Sequence, residues 1–336
     1  MSTEKNTSEK TRLHLRNRNR EPYDLNALKA AEPELANHIK PNRYGAESVD
    51  FANPEAVKLL NKALLNHYYG IKNWDFPEEN LCPPIPGRAD YLHYMADLLG
   101  QSNFGNIPTG DKITALDIGV GANCIYPIIG VTEYGWNFIG SDTDPKSVES
   151  ANRIAASNES LKDKIEVRLQ ENPEAFFSGI ITGEDKIDFS MCNPPFHSST
   201  EEAQKSTHRK VHNLAGKKKA KPELNFAGIS SELIYEGGES AFIHSMIRES
   251  RDFAANCYWF STLVSKQSTL KGIYKLLDEM EITMIKTIPM GTGNKSSRVI
   301  AWSYFTKEEQ KTWREKRWRD VEEKQVEVEV KTENEA

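Results

Sequence analysis

Asn193-Pro194-Pro195-Phe196 is the stretch whose residue types and order most directly suggest chemistry. It follows the apolar run Ile187–Cys192, which has the length and composition of a buried strand. Two consecutive prolines end a strand's ladder because proline has no N–H to donate. They also fix a rigid turn and leave carbonyls without competing local N–H groups. The Asn193 side-chain carbonyl and a proline carbonyl can then accept both hydrogens of one planar amino group, such as the exocyclic amine of a nucleobase. Phe196 can stack on the face of that base. Two acceptors on such an amine favour a more pyramidal, more nucleophilic nitrogen, so positioning and electrostatics carry the reaction and no strong base is needed. Taken alone, the four residues also fit a proline-terminated strand in any protein.

Two earlier strand ends carry matching motifs. Leu116-Asp117-Ile118-Gly119-Val120-Gly121-Ala122 ends the apolar strand Ile113–Ile118 in a glycine-rich turn, which lets a ligand approach the backbone. No Gly-Lys-Ser/Thr follows, which excludes a phosphate-binding P-loop, and Cys124 stands where the dinucleotide fingerprint wants Gly or Ala. The remaining Asp-x-Gly-x-Gly resembles the S-adenosylmethionine (SAM) loop of Rossmann-like methyltransferases, with Asp117, Gly119 and Gly121 as candidate contacts and Asp117 meeting the cofactor's ammonium through water. Asp142, at the tip of the next strand and about twenty residues on, is placed to take both ribose hydroxyls. Asp144 precedes Pro145 and reads as a helix cap. The Asn-Pro-Pro-Phe turn in turn resembles the Asn/Asp-Pro-Pro-aromatic signature of amino-directed methyltransferases, whose acceptors include adenine in DNA or RNA, cytosine N4 and protein glutamine.

Strands alternating with helices must position these motifs. The pattern predicts strands at 113–118, 137–141, 165–169, 187–192, 257–264, 282–288 and 298–305, with the last two joined as a hairpin across Pro289–Ser296. That is a Rossmann-like α/β domain over 111–307, with a mostly parallel seven-stranded sheet and an antiparallel C-terminal strand. Residues 21–110 read as a mainly helical N-terminal region, 1–20 as a disordered basic arm, 197–238 as a basic insertion and 308–336 as a charged flexible tail.

The 336 residues carry a net charge of −6, which taken whole argues against a nucleic-acid partner. The distribution argues otherwise: Lys205–Lys221 holds seven Lys/Arg, two His and no carboxylate, and Lys10–Arg20 is also basic. His14, His208 and His212 read as solvated rather than catalytic. No stretch approaches a membrane span and Met1–Lys10 lacks a signal peptide's apolar segment, so the expectation is a cytoplasmic protein without a membrane partner. Four widely spaced cysteines, with no Cys-x-x-Cys, argue against structural zinc or a redox dithiol, and no metal is expected.

Longer strings narrow the family. Ser48–Pro54, Leu81–Asp90, Leu116–Pro127 and Cys192–Phe196, with Leu224–Phe226 and Glu236–Glu239, resemble the ribosomal RNA large subunit methyltransferase F family over about residues 12–306. The resemblance implies SAM-dependent N6-methylation of one adenine in 23S ribosomal RNA, conventionally numbered 1618. It implies that Arg88 lies near the SAM carboxylate, where a guanidinium can make two parallel hydrogen bonds. It places a further SAM contact around Gln170–Asn172, with Asn172 as the candidate. The expected partner is 23S ribosomal RNA or a large-subunit assembly intermediate, with no obligate protein partner. Lys205, Arg209, Lys210, Lys217, Lys218, Lys219 and Lys221 become candidate phosphate contacts over the active-site mouth, and Arg12, Arg16, Arg18 and Arg20 a second set. Rival readings are an amino methyltransferase for another RNA, DNA adenine or protein glutamine, and a non-catalytic RNA-binding module.

Overall fold

The structure is a computed structural model that describes residues 13–42, 44–51, 53–202, 230–292 and 295–318. A short antiparallel hairpin, β1 (Ile39–Pro41) and β2 (Glu47–Val49), precedes the main sheet. The main sheet contains β3 (Thr114–Ile118), β4 (Asn137–Asp142), β5 (Ile165–Leu169), β6 (Ile187–Cys192), β7 (Cys257–Val264), β8 (Met284–Thr292) and β9 (Lys295–Ser303). Its order is β5-β4-β3-β6-β7-β9-β8. The first five strands pair in parallel, and β9 runs antiparallel between β7 and β8. The chain moves outward from β3 first toward β4 and β5 and later toward β6. The crevice at the carboxyl ends of β3, β4 and β6 is therefore the place where such sheets bind ligands.

Local sequence explains the elements. Every residue of β6 and β7 is buried, as parallel strands covered on both faces require. Nine helices are described: α1 (Leu25–Ala31), α2 (Pro54–Tyr69), α3 (Ile85–Ser102), α4 (Ile125–Tyr134), α5 (Pro145–Ala156), α6 (Ser230–Leu233), α7 (Gly238–Ser250), α8 (Leu270–Glu279) and α9 (Lys307–Trp313). Asn53 and Asp144 cap α2 and α5 with their side chains, each ahead of a proline in the first turn, as the sequence predicts. Alternate strand residues divide the core. Ala115, Phe189 and Met191 pack with α2, α3, α4 and α5, whereas Leu116, Cys192 and Phe260 pack with α7 and α8.

Three expectations are corrected. The last two strands extend through the stretch read as their connector, pairing from Met284↔Ser303 to Thr292↔Lys295. Pro289 is tolerated because β8 is an edge strand. Residues 13–20 are a packed strap, not a disordered arm. His14 is buried, donates its N–H to Asp90 and places Nε2 2.8 Å from Asp97 Oδ2. Asn17 binds the Pro86 carbonyl and Asp90, Arg16 binds Tyr134 and Asp97, and Arg18 pairs with Glu133. The basic side chains are matched by carboxylates distant in sequence.

The segment 308–318 is likewise packed, not a flexible tail. A capping box between Thr306 and Glu309 starts α9, and Trp313 and Trp318 are buried. Both indole N–H groups donate to Asp188 Oδ1 at 2.7 Å, and Arg317 pairs with the same carboxylate at 2.9 Å.

Candidate active site

A cavity of about 340 Å³ lies at the carboxyl ends of the parallel strands and gathers side chains from well-separated parts of the chain. Its floor begins with the turn after β3. Gly119 and Gly121 take φ values of +73° and +67°, which side chains other than glycine rarely adopt. The N–H groups of Gly119 and Val120 both donate to the Ser141 carbonyl at 2.9 Å, which staples the turn to the end of β4. Gly121 N–H donates to Asp142 Oδ2 at 2.9 Å, and Asp144 N–H donates to Asp142 Oδ1 at 3.0 Å. Burial raises the Asp142 pKa, and those two N–H groups partly offset the rise. Gly119, Gly121 and Asp142 all line the cavity.

Asp117 is fully buried and does not itself line the cavity. Neither carboxyl oxygen finds a hydrogen-bond partner among the described residues. Burial pushes its pKa up to about 8; the Arg88 charge opposes the shift and Asp142 adds to it. Arg88 lines the cavity from the first turn of α3, which the Pro-rich loop delivers. Its Nη1 donates to the Tyr126 hydroxyl at 3.1 Å, and its guanidinium carbon lies 5.4 Å from that ring's centroid. The Arg88 guanidinium and the glycine backbone thus line the cavity together, and the Arg88 charge reaches the orphaned Asp117 carboxyl behind them.

Asn193 and Pro195 line the same cavity. The Asn193 Oδ1 atom is buried and unpartnered among the described residues. Pro194 is buried, and half-buried Phe196 lies outside the lining. Asn172 also lies outside it: its side-chain oxygen accepts the Glu174 N–H at 3.1 Å to shape a local turn before the next segment. Gln170 lines the cavity instead, with Nε2 donating to the Ser178 carbonyl and Oε1 accepting the Asn172 N–H.

Other wall residues escaped the sequence reading. Glu232, on α6, accepts from Asn80 Nδ2 at 2.9 Å and from the Leu81 N–H at 3.1 Å, so it ties α6 to the Pro-rich loop. Tyr235 N–H donates to the His197 carbonyl, and His197 N–H to the Leu233 carbonyl, both at 3.0 Å. This parallel bridge brings residues after the Asn-Pro-Pro-Phe turn beside Ile234 and Tyr235, both of which line the cavity. The nearby Glu236-Gly-Gly-Glu239 was the only signal in the sequence for this wall. Glu239 holds it in place by accepting the N–H groups of Ser265 and Lys266.

Among the predicted RNA contacts, Arg16 and Arg18 are committed to internal carboxylates. Arg12 and Lys205, Arg209, Lys210, Lys217, Lys218, Lys219 and Lys221 lie outside the described residues, as does Leu224–Phe226. Among the described residues no group of His, Cys, Asp and Glu is arranged to hold a metal, and no helix is long and apolar enough to cross a membrane.

The strand order and the cavity at its switch point define a class I methyltransferase, a fold whose members use SAM. The sequence pattern of an RNA methyltransferase family fits residues 7–306. The ribosomal RNA large subunit methyltransferase F of Cytophaga hutchinsonii is 54% identical over 320 residues, covering 94% of this chain and 99% of that protein. Its counterpart in Photobacterium profundum is 50% identical over 336 residues, covering 95% and 99%. The chain belongs to the ribosomal RNA large subunit methyltransferase F family. Among solved structures, the catalytic domain of METTL16 in complex with a MAT2A 3′UTR hairpin matches with a TM-score of 0.74 at 29% identity, over 88% of this chain and 96% of that one. The N-terminal domain of human METTL16 in complex with SAH matches at 0.68 and 27%, over 88% and 99%.

Proposed function

We propose that this methyltransferase moves the methyl group of SAM to the exocyclic N6 of one adenine in 23S ribosomal RNA. The observation that carries the reading is Asn193 Oδ1, a buried acceptor at the cavity without a partner of its own among the described residues. Leaving such an acceptor empty costs about 1–3 kcal/mol, so a ligand donor that fills it gains correspondingly. An amino group has the two hydrogens that Asn193 Oδ1 and the Pro194 carbonyl would accept. The aromatic Phe196, just beyond the lining, would stack on the base as it enters.

Other residues in and behind the lining suit the cofactor. Arg88 would hold the carboxylate of SAM, Asp117 would answer its ammonium, Asp142 its ribose hydroxyls, and the Gly119–Gly121 turn would admit it against the backbone. When bound, SAM supplies an electrophilic methyl group. The chain's own contribution is to hold the amine, orient the base and exclude water, since no side chain is required as a strong base before attack. The basic stretch Lys205–Lys221 would supply phosphate contacts, because it lies in the chain between His197 and Ile234, which the bridge sets side by side beside the cavity.

The test uses large-subunit ribosomal RNA from cells lacking the gene, offered protein-free and in ribosomal particles with SAM, then digested to nucleosides for mass spectrometry. N6-methyladenosine that vanishes with Asn193→Ala while SAM affinity persists supports the assignment. Methyl transfer to another nucleoside, or to a peptide glutamine alone, overturns it.

A further inference from the structure

Tyr91 joins the helix that carries Arg88 to the end of β6, although none of the strand-tip motifs contains it. It lies on α3 three residues after Arg88 and is fully buried, with its ring edge-on to Tyr126 at 5.6 Å. Its hydroxyl lies 2.9 Å from Ser261 Oγ and accepts the Cys192 N–H at 3.4 Å. Ser261, on β7, donates to the Ser190 carbonyl at 2.6 Å. A serine hydroxyl has one proton. With that proton on Ser190, the Tyr91 hydroxyl must donate to Ser261. The chain of bonds therefore runs from Cys192 N–H through Tyr91 and Ser261 to the Ser190 carbonyl, and it starts and ends on β6.

The register explains why these hydroxyls are needed. β6 and β7 pair at Ile187↔Cys257 and Phe189↔Trp259. One more step would pair Met191 with Ser261 and give the Ser190 carbonyl and the Cys192 N–H to the Ser261 backbone. Instead the Ser261 side chain takes the carbonyl and Tyr91 takes the N–H. Two side-chain hydroxyls replace one rung where β6 parts from β7, and the next residue is Asn193.

We infer that Tyr91 is a positioning residue for methyl transfer: with Ser261 it sets where the backbone turns at Asn193, and so where Asn193 Oδ1 sits. This rests on the reading of Asn193 as the amine acceptor. Tyr91→Phe removes only the hydroxyl and keeps the ring against Tyr126. The experiment measures single-turnover transfer of labelled methyl from SAM to the RNA at saturating SAM and RNA, alongside SAM affinity by calorimetry. The expected result is a rate about ten- to a hundredfold lower, the scale of an ångström-sized misplacement, with SAM affinity within about twofold of wild type. Ser261→Ala should behave alike, and the double variant should be no slower than the worse single one, because both break the same chain. A Tyr91→Phe rate within about twofold of wild type, whatever its melting temperature, would show a merely structural hydroxyl. A parallel fall in SAM affinity would place Tyr91 behind Arg88 instead and also overturn the inference. Label transfer is read whichever nucleoside carries it, so identifying the wild-type product tests the adenine assignment separately.

Discussion

Asp142 Oδ2 accepts the Gly121 N–H at 2.9 Å, so the acidic side chain proposed for the ribose also shapes the glycine turn it faces. Asp142→Ala should therefore remove a ligand contact and loosen the turn together. SAM affinity should fall at least about tenfold, given about 1.5–3 kcal/mol for a hydrogen bond to a charged group. Calorimetric titration against wild type checks this, and an unchanged dissociation constant would remove Asp142 from the cofactor site.

Asp117 predicts a pH dependence. With its pKa raised by burial to about 8, it is mostly protonated at neutral pH. A bound ammonium favours the carboxylate, so binding should release a proton and affinity should rise from pH 6 toward 8, by at most about tenfold per unit. Asp117→Asn should bind more weakly and with a flat profile over that window. The folded-state linkage has the opposite sign. The folded protein holds this proton between the ordinary aspartate pKa and about 8 while the unfolded chain has lost it, so the contribution to stability falls as pH rises through that range.

Asp188 should matter for stability more than for chemistry. It is fully buried and receives Trp313, Trp318, Arg317 and the Thr114 N–H. Asp188→Ala would leave the Arg317 charge and two indole donors without their acceptor, at a cost of about 3–5 kcal/mol. Urea unfolding should show the loss, and a variant unfolding at the wild-type midpoint would contradict the hub.

Basic residues should divide by partner. Replacing Lys217, Lys218 and Lys219 with Ala should flatten the slope of log affinity against log salt by roughly two units, at about 0.7 per single-strand phosphate, and spare SAM binding. Arg18→Ala should leave that slope unchanged and lower stability instead, because Arg18 already pairs with Glu133 and binds the Tyr68 carbonyl. A filter-binding series at several salt concentrations reads both.

The strand-tip motifs were legible because each is a local pattern: an apolar run ends in residues that cannot continue it. The sheet then brings those tips together, which is why Gly119, Gly121, Asp142, Asn193 and Pro195 share a cavity, to which the Pro-rich loop adds Arg88 from α3. The strap was illegible for the converse reason. Arg16 looks like a free cation until Asp97 arrives from 81 residues away. Trp313 and Trp318 sit in a charged run whose composition reads as solvated, and the partners that bury them, the Asp188 carboxylate and the Tyr258 ring, are far away in sequence. Asn172 and Gln170 are two polar residues separated by one position. The choice between them depended on a turn bond that spacing does not reveal.

The His197–Ile234 bridge means that the chain departs and returns at two adjacent, fixed points. Between them, Glu202 pairs with Lys266, and Glu232 binds Asn80 and the Leu81 N–H, so the anchors extend inward from the bridge. Doubling the length of a flexible segment between such anchors changes the entropy of closing it by only about 0.6 kcal/mol, so the fold would tolerate a longer insertion there. An insertion at this point can therefore change in length while Ile234 and Tyr235 keep their place in the cavity wall.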